Sequence, residues 1–491
     1  WYNHGADLNN SRSATGGTIN STSVGFGSLK LKWKFQAGLD VSATPAIYNG
    51  VIYFPCWNGN IYAVNAITGT LVWMKSVGAL TGVPSPNILT SVTVARATPT
   101  VVTDGYNLLV WGIYGPAVAF AVSITTGKLA WMTALDPSNY SVVTASGTYY
   151  SGAYYVGLSS LDEMLPESMC CTFRGSMVKM NVRTGKIQWQ TYTLPDNGGN
   201  MGGYAGAAIW GSSPPIDINR GVIYAATGNL YSAPASVVNC EVQTSQAQNA
   251  TNPDSCVPSN IYFNSFIAFD MTSGGVIWGT RMGGYDGPGL PSPDADFGEA
   301  PMLITAAVNG SQVDMVVAVQ KSGYAYALNR NNGAIVWSTL AGPGSAQGGG
   351  IWGAATDGKR VYTNISNAWK KTFVLAPSNQ TTTAGGWVAL DPPTGNILWT
   401  TANPSSNLAD GPVTVVNDVV IAGSVDPTGP VYGMNAATGK VIWSSFTNAT
   451  VYGGASSSYG CIYIGNGYRV GPTSQFHPAW TGGKYVYCYC I

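Results

Sequence analysis

Apolar and polar residues alternate in short runs along the whole chain. From Ala43 to Phe54 the sequence reads Ala-Thr-Pro-Ala-Ile-Tyr-Asn-Gly-Val-Ile-Tyr-Phe, two runs of β-branched and aromatic residues on either side of an Asn-Gly turn. From Asn65 to Trp73 it reads Asn-Ala-Ile-Thr-Gly-Thr-Leu-Val-Trp, a polar residue, a Gly turn and a short run that ends in Trp. Together the two patterns predict strand, turn, strand, turn, strand. The first begins again at Ala97-Thr-Pro99. The second returns at 123–131, 181–189, 270–278, 329–337, 391–399 and 435–443, and in all seven copies Gly stands four residues before Trp.

An eighth Trp, Trp33 in Leu-Lys-Trp-Lys-Phe, lacks the turn in front of it, as expected of a copy whose upstream half comes from elsewhere in the chain. A strand-rich unit of this length, repeated about eight times, predicts an all-β fold, an eight-bladed β-propeller of four-stranded antiparallel blades. A large flat side chain recurring at one place in the unit is suited to packing between neighbouring blades.

The length of 491 residues would ordinarily suggest several domains, but blades share one continuous core, so a single domain over 1–491 is expected. Residues 1–28 form a lead and 444–491 the last strands, and the two ends are expected to close the ring by pairing. The chain has neither a signal peptide nor an initial Met, and Trp1 is expected to follow removal of a leader.

Charged residues make up 9% of the chain and the formal net charge is zero, which disfavours nucleic acid and acidic membrane surfaces as partners. No apolar run approaches the roughly 20 residues needed to span a bilayer. Eight Cys point to an oxidising compartment. Cys240 and Cys256 bracket a polar insertion and are the best local pair, while Cys461, Cys488 and Cys490 offer one or two bridges near the C-terminus, with Cys461 and Cys488 taken as bonded. Cys56 joins them or stays free. Sequons at Asn9, Asn20, Asn139, Asn249, Asn309, Asn364, Asn379 and Asn448 fit a secreted, extracellular glycoprotein. The 28 Tyr suit carbohydrate contact or self-association.

Segments outside the repeat, notably 79–95, 132–152, 159–172, 191–207, 231–262, 281–299 and 338–350, are where a propeller places its binding surface. His4 and His477 alone are present, both near the termini, which argues against a His-ligated metal centre. There is no Gly-x-Ser-x-Gly elbow, no phosphate loop and no Cys-x-x-Cys-His for attached haem.

With these repeats, the stretches Trp210-Gly-Ser-Ser-Pro, Ala226-Thr-Gly-Asn229, Asp294-Ala-Asp-Phe-Gly-Glu-Ala-Pro-Met302 and Gln320-Lys-Ser-Gly-Tyr-Ala-Tyr-Ala-Leu-Asn329 resemble quinoprotein alcohol dehydrogenases, in particular polyvinyl alcohol dehydrogenase and its plant-type homologues. The resemblance covers nearly the whole chain. It implies pyrroloquinoline quinone and Ca²⁺ on the ring axis, oxidation of an alcohol (small, polymeric or glycan) and a separate electron acceptor. Carried over by motif, Asp294 resembles the general base, and Asn229, Glu163 and Asp294 the Ca²⁺ ligands. Trp210 resembles the indole stacked on the quinone. Arg96, Arg174 and Lys321 resemble the cations around it, and Ser146 and Trp352 complete the implied cofactor contacts. A flat trianionic cofactor wants an aromatic platform and fixed cations, and a hard cation wants oxygen ligands.

Each residue also has a plainer role open to it: Trp210 in the core, Asp294 and Asp296 as turn formers in a Pro/Gly-rich loop, Arg174 as an exposed charge. The sequence also departs from the family. Thr90 and Ser91 stand where its early adjacent Cys pair belongs, and Cys170-Cys171 occurs instead in another blade. Counting back from Arg174-Gly175 puts Cys170 at the Ca²⁺-binding Glu, whereas counting forward from Val156-Gly157 puts Glu163 there. Cys170 and Cys171 bond either to each other or to distant partners. A second reading follows: a secreted propeller without cofactor that serves as an extracellular binding, structural or self-assembling module.

Overall fold

The computed structural model describes residues 1–85, 90–246, 255–290, 294–470 and 473–491. Eight large antiparallel sheets follow one another round a ring. Blade one runs from Ala46 to Ser76, blade two from Thr100 to Ala134 and blade three from Ser141 to Tyr192. Blade four spans Ile216 to Arg281, blade five Met302 to Leu340, blade six Ala355 to Ala402 and blade seven Thr414 to Phe446. Blade eight takes three strands from Ser456 to Cys490 and its fourth from Lys30–Gln36, which pairs antiparallel with Tyr485–Cys490. Trp33 therefore sits in the last blade although it lies near the start of the chain, and this pairing closes the ring.

The recurring Gly and Trp dock one blade onto the next. The Trp73 indole donates to the Ile124 carbonyl at 3.0 Å, Trp131 to Val182 at 2.8 Å, Trp278 to Arg330 at 3.0 Å and Trp399 to Ala436 at 2.9 Å. Each indole lies across the Gly turn of the following blade. Gly185 shows why the turn must be Gly: its φ is +72°, and a Cβ there would stand 2.5 Å from the Trp131 ring. The polar residue that opens each copy is fixed as well, since the Asn65 Oδ1 accepts from the Ile67 and Thr68 amides at 2.9 Å.

The lead does not pair with the tail, contrary to expectation. It runs instead once round the inner strands. The Ile47 amide donates to the Trp1 carbonyl at 2.8 Å, Val101 to Tyr2 at 2.7 Å, Ile216 to Leu8 at 2.8 Å, Leu303 to Asn9 at 2.9 Å, Thr356 to Ser11 at 2.9 Å and Val415 to Arg12 at 3.0 Å. Ser13–Ala14 then add as a parallel strand to blade seven. The innermost strand of a blade is an edge with unpaired backbone groups, and a chain laid along these edges supplies them with partners. The closing strand is the one after the lead, beginning at Lys30.

Cys170 is bonded to Cys171 and Cys240 to Cys256. The third bridge joins Cys461 to Cys490, not to Cys488. Cys488 and Cys490 are two apart on one strand, and the register puts Cys461 opposite Cys490 and Tyr463 opposite Cys488, so only Cys490 faces Cys461. Cys488 and Cys56 are buried free thiols. Of the sequons, Asn9, Asn139, Asn309, Asn379 and Asn448 are exposed, and Asn20 is half-buried as the cap of a short helix. Asn364 is fully buried, with its amide donating to the Ala409 carbonyl at 2.8 Å, so it has no room for a glycan. Asn249 lies outside the described residues.

Candidate active site

In antiparallel blades the connections alternate between the two ends of the ring. The Gly turns and the first hairpins share one end. The links between second and third strands, and those between blades, share the other. A cavity of about 290 Å³ opens at this second end, and its side chains come from those links. Glu163, Tyr231, Lys321 and His477 lie between second and third strands, while Arg96, Trp210, Asp296, Trp352, Asp410 and Tyr452 lie between blades.

The acidic side of the cavity is held by Lys321. Its Nζ lies 2.9 and 3.0 Å from the two oxygens of Asp294 and 3.6 Å from Asp296 Oδ2. Asp296 has three ties of its own: the Trp210 indole donates to Oδ2 at 3.2 Å, the Asn229 amide to Oδ1 at 2.7 Å, and the Lys321 amide to its carbonyl at 2.9 Å. The Asn229 side chain turns outward and donates to Glu163 Oε1 at 3.0 Å. Burial, reinforced by the charge of Asp296, pushes the Asp294 carboxyl up to about 7 even with Lys321 pulling it down. Burial and Asp296 also raise Glu163. Burial likewise raises Asp286, which accepts from the Ala295 amide and the Asn264 side chain at 2.7 Å and so braces the loop that carries both acids.

The opposite side is aromatic. Trp210 meets Trp352 edge to face at 5.0 Å, the Trp352 indole donates to the Tyr452 hydroxyl at 2.5 Å, and Tyr452 stacks on Tyr468 at 4.2 Å. Arg96 lies 4.2 Å above Trp352 and donates to the Tyr468 hydroxyl at 2.8 Å. His477 stacks on Trp480 at 4.0 Å at the cavity edge.

Arg96, Glu163, Trp210, Lys321 and Trp352 thus line one cavity, and Asn229 and Asp294 stand behind its wall in contact with Glu163 and Lys321. Two of the expected residues do not reach it. Arg174 pairs with Asp196 at 2.9 Å and lies 4.1 Å over the Tyr192 ring, both on its own blade or the link that follows. Ser146 is buried beneath, where its amide donates to Ser212 Oγ at 3.1 Å and its carbonyl accepts from Ser213, and Thr144 takes its place in the wall. Asp296, read from sequence as a turn former, touches more of the site than Asp294. Asp410, Tyr452, Tyr468 and Trp480 went unseen because they lie in the links of the last three blades, outside the long insertions.

The family profile for the glucose, ethanol and alcohol dehydrogenase β-propeller domain matches residues 1–343, which carry Arg96, Glu163, Trp210, Asp296 and Lys321. The chain belongs to this family. A second profile, the outer membrane protein assembly factor BamB, matches 321–467. Polyvinylalcohol dehydrogenase of Sphingopyxis sp. (strain 113P3) is 28% identical over 494 residues, covering 90% of this chain and 68% of that protein. Quinohemoprotein alcohol dehydrogenase ADH IIB of Pseudomonas putida is 23% identical, over 68% of this chain and 46% of its own. Among solved structures, quinohemoprotein alcohol dehydrogenase from Comamonas testosteroni superposes with a TM-score of 0.75 at 16% identity, over all of this chain and 80% of the other. A europium-containing methanol dehydrogenase gives 0.72 at 14% identity, over 100% and 98%. The chain is a quinoprotein alcohol dehydrogenase-type propeller, and no helix among its described residues is long and apolar enough to cross a membrane.

Proposed function

We propose that this protein is a secreted oxidoreductase that acts on alcohol groups with pyrroloquinoline quinone and Ca²⁺. The observation that carries the reading is the Lys321 bridge between Asp294 and Asp296, with the Trp210 indole tied to the same acid. The donor set suits both groups. Glu163, Asn229, Asp294 and Asp296 offer hard oxygen ligands, and with three acids served by one Lys, two of them raised by burial, a divalent cation would relieve their excess charge. The acids do not form a finished cage. Among the described residues the one trio of ligand-type side chains with all donor atoms within 4.8 Å is Cys461, Cys488 and Cys490, so Glu163, Asn229, Asp294 and Asp296 would hold the cation as an open set of donors.

When bound, the quinone would supply the two-electron acceptor and the cation its polarisation. The chain's own residues do the rest. Trp210 and Trp352 give the flat ring apolar surface, and Arg96 and Lys321 set fixed positive charge against its carboxylates. Asp294, near neutrality at about 7, is suited to take the proton of the substrate hydroxyl at a carboxylate oxygen. Lys321 orients that carboxylate. The aromatic wall keeps water from the far side. Electrons would leave for a separate acceptor.

The binding-module reading drew on Cys170 standing where a Ca²⁺ ligand belongs. Glu163, in contact with Asn229, offers the carboxylate instead, which supports the oxidoreductase. Three disulfides and five exposed sequons support an oxidising, extracellular setting.

The test is quenching of Trp fluorescence by pyrroloquinoline quinone, titrated with and without Ca²⁺. Saturable, Ca²⁺-dependent quenching is expected, weakened about tenfold or more by Asn229→Ala or Lys321→Ala. Absence of quenching at every Ca²⁺ concentration would overturn the reading in favour of the binding module.

A further inference from the structure

The lead serves the inner strands of blades one, two, four, five, six and seven, whose amides donate to its carbonyls, and passes over blade three. Between Tyr2 and Leu8 the chain turns back on itself, with the Tyr2 amide donating to the Ala6 carbonyl and the Ala6 amide to that of Asn3, both at 3.4 Å. The inner strand left open is Thr148–Tyr150. It belongs to a hairpin closed by the Tyr150 and Ala153 pair, and the next pair joins Tyr149 to Tyr154. The closing pair of a two-residue hairpin exchanges both its hydrogen bonds, so Tyr149 turns its amide and carbonyl outward. Ile47 and Val101 hold the same middle place in blades one and two, and there Trp1 and Tyr2 take the amide. Among the described residues the Tyr149 amide has no acceptor outside its own sheet.

A cavity of about 520 Å³ lies over this open edge, walled by Tyr2, Asn3 and Asp7 of the lead, Asp104 of blade two, and Tyr149 and Tyr150. Asp104 and the Tyr150 hairpin belong to the first turns of their blades, so the cavity opens at the end of the ring opposite the candidate active site.

Two carboxylates line it, and no Lys, Arg or His does. Asp7 is spent on its own turn, accepting from the Asn9 and Ser11 amides at 3.0 and 3.1 Å and from the Ser11 hydroxyl at 2.6 Å. Asp104 is exposed and accepts from the Tyr149 hydroxyl at 2.8 Å, which leaves its carboxylate room for further donors. Asn3 is 3% exposed; its amide nitrogen donates to the Gly147 carbonyl at 3.3 Å, and its Oδ1 accepts nothing among the described residues. Unused acceptors and unbalanced negative charge exclude an anion and select a cationic donor, to which the Tyr2 and Tyr150 rings offer their faces. The open Tyr149 amide asks for a carbonyl as well, and a peptide carries both groups. We propose that this cavity binds an extended peptide segment with a basic residue, whose backbone pairs with Tyr149 as the lead pairs with Ile47 and Val101 and whose Lys or Arg side chain reaches Asp104. The inference is independent of the oxidoreductase reading.

The experiment is calorimetric titration of the full chain with acetyl-Gly-Arg-Gly-amide, with its Glu counterpart and with methylguanidine. The Arg peptide is expected to bind about tenfold or more tighter than either, since the Glu peptide lacks the charge-assisted bond and methylguanidine the backbone pairing. Asp104→Asn should weaken the Arg peptide about tenfold and leave the melting temperature unchanged. Asn still accepts from Tyr149 and suits the φ of +28° at this position. Equal binding of the Arg and Glu peptides, binding of neither, or an Arg peptide indifferent to Asp104→Asn would overturn the inference. Methylguanidine binding as tightly as the Arg peptide would overturn it too, because the Tyr149 edge would then contribute nothing.

Discussion

His4 Nε2 lies 2.5 Å from the Trp352 carbonyl, and this contact ties the first turn of the chain to the wall of the cavity. Burial and the charge of Arg12 hold the His4 ring well below its ordinary pKa, so the neutral imidazole donates. Arg12 is buried behind it, donating to the His4 carbonyl at 2.5 Å, to Val413 at 2.7 Å and to Thr414 Oγ1 at 2.9 Å. Glu299 completes the clamp by accepting from Val319 at 2.7 Å and from Ala354 at 2.5 Å. Trp352 stands at φ +68°, a conformation disfavoured for a bulky residue, and these contacts hold its turn from the axis side.

Arg12→Met should therefore lower stability by about 3–5 kcal/mol, because it leaves the His4 and Val413 carbonyls and the Thr414 hydroxyl buried without their donor. Arg12→Lys should not rescue it, since one ammonium cannot replace the planar fork. Urea unfolding followed by Trp fluorescence reads both effects. An Arg12→Met protein as stable as wild type would mean that the lead is dispensable.

Lys321→Met should move the titration of Asp294 upward. Lys321 is the positive charge that holds this carboxyl as low as about 7, so its loss leaves burial and the Asp296 charge unopposed. A base is active only when ionised. The rising limb of a pH profile for quinone-dependent alcohol oxidation should shift to higher pH than in the wild type, and the rate at neutrality should drop by about tenfold or more. A profile that keeps its midpoint would separate Asp294 from the chemistry.

The ring was legible in the sequence and the site only in part, for a physical reason. Docking repeats one geometry eight times, so Gly and Trp recur at fixed spacing, and each copy supports the reading of the next. The cavity is assembled once, from single residues on links of unlike length. Lys321 and Asn229 could be found because they sit beside regular strands, where a motif keeps register. Arg174 and Ser146 lie elsewhere because a side chain's direction beyond a strand end depends on the link, and there Asp196 holds the Arg174 guanidinium and the His4 amide the Ser146 hydroxyl. Asp410 has no local signal, since an Asp-Gly-Pro turn looks like any other. The path of the lead was hidden for the same reason. Backbone pairing along blade edges leaves no side-chain pattern.

Asp410→Asn should gain stability over the wild type as pH rises. An Asp titrates near 3.9 in the unfolded chain and near 7 in the cavity, so between these values the folded protein binds the extra proton. By linkage the stabilisation from this group is complete below about 3.9 and is lost as pH rises towards 7. The variant lacks the titration, whereas Asp294, Glu299 and His4 titrate in both proteins and cancel. The difference in unfolding free energy should thus grow from pH 4 to pH 7, reach on the order of a few kcal/mol and level off above. A flat difference would show that Asp410 titrates in the cavity as it does in the unfolded chain.

Cysteine chemistry gives the last check. With three disulfides in place, Cys56 and Cys488 are the remaining thiols, both buried, and burial pushes Cys56 up to about 11 and Cys488 up to about 12. A thiolate is the reactive form, so both should resist a thiol reagent in the native protein at pH 8 and both should react once it is unfolded without reductant. Peptide mapping after unfolding should find the label on Cys56 and Cys488 and none on Cys490. Cys490→Ser should cost about 3–4 kcal/mol through loss of the loop closed with Cys461, whereas Cys488→Ser, which only replaces a buried sulfur by a hydroxyl, should cost less. Label on Cys490 instead would restore the Cys461–Cys488 pairing and require the last strand to slide by two residues against its neighbour, since Cys488 and Cys490 share one face.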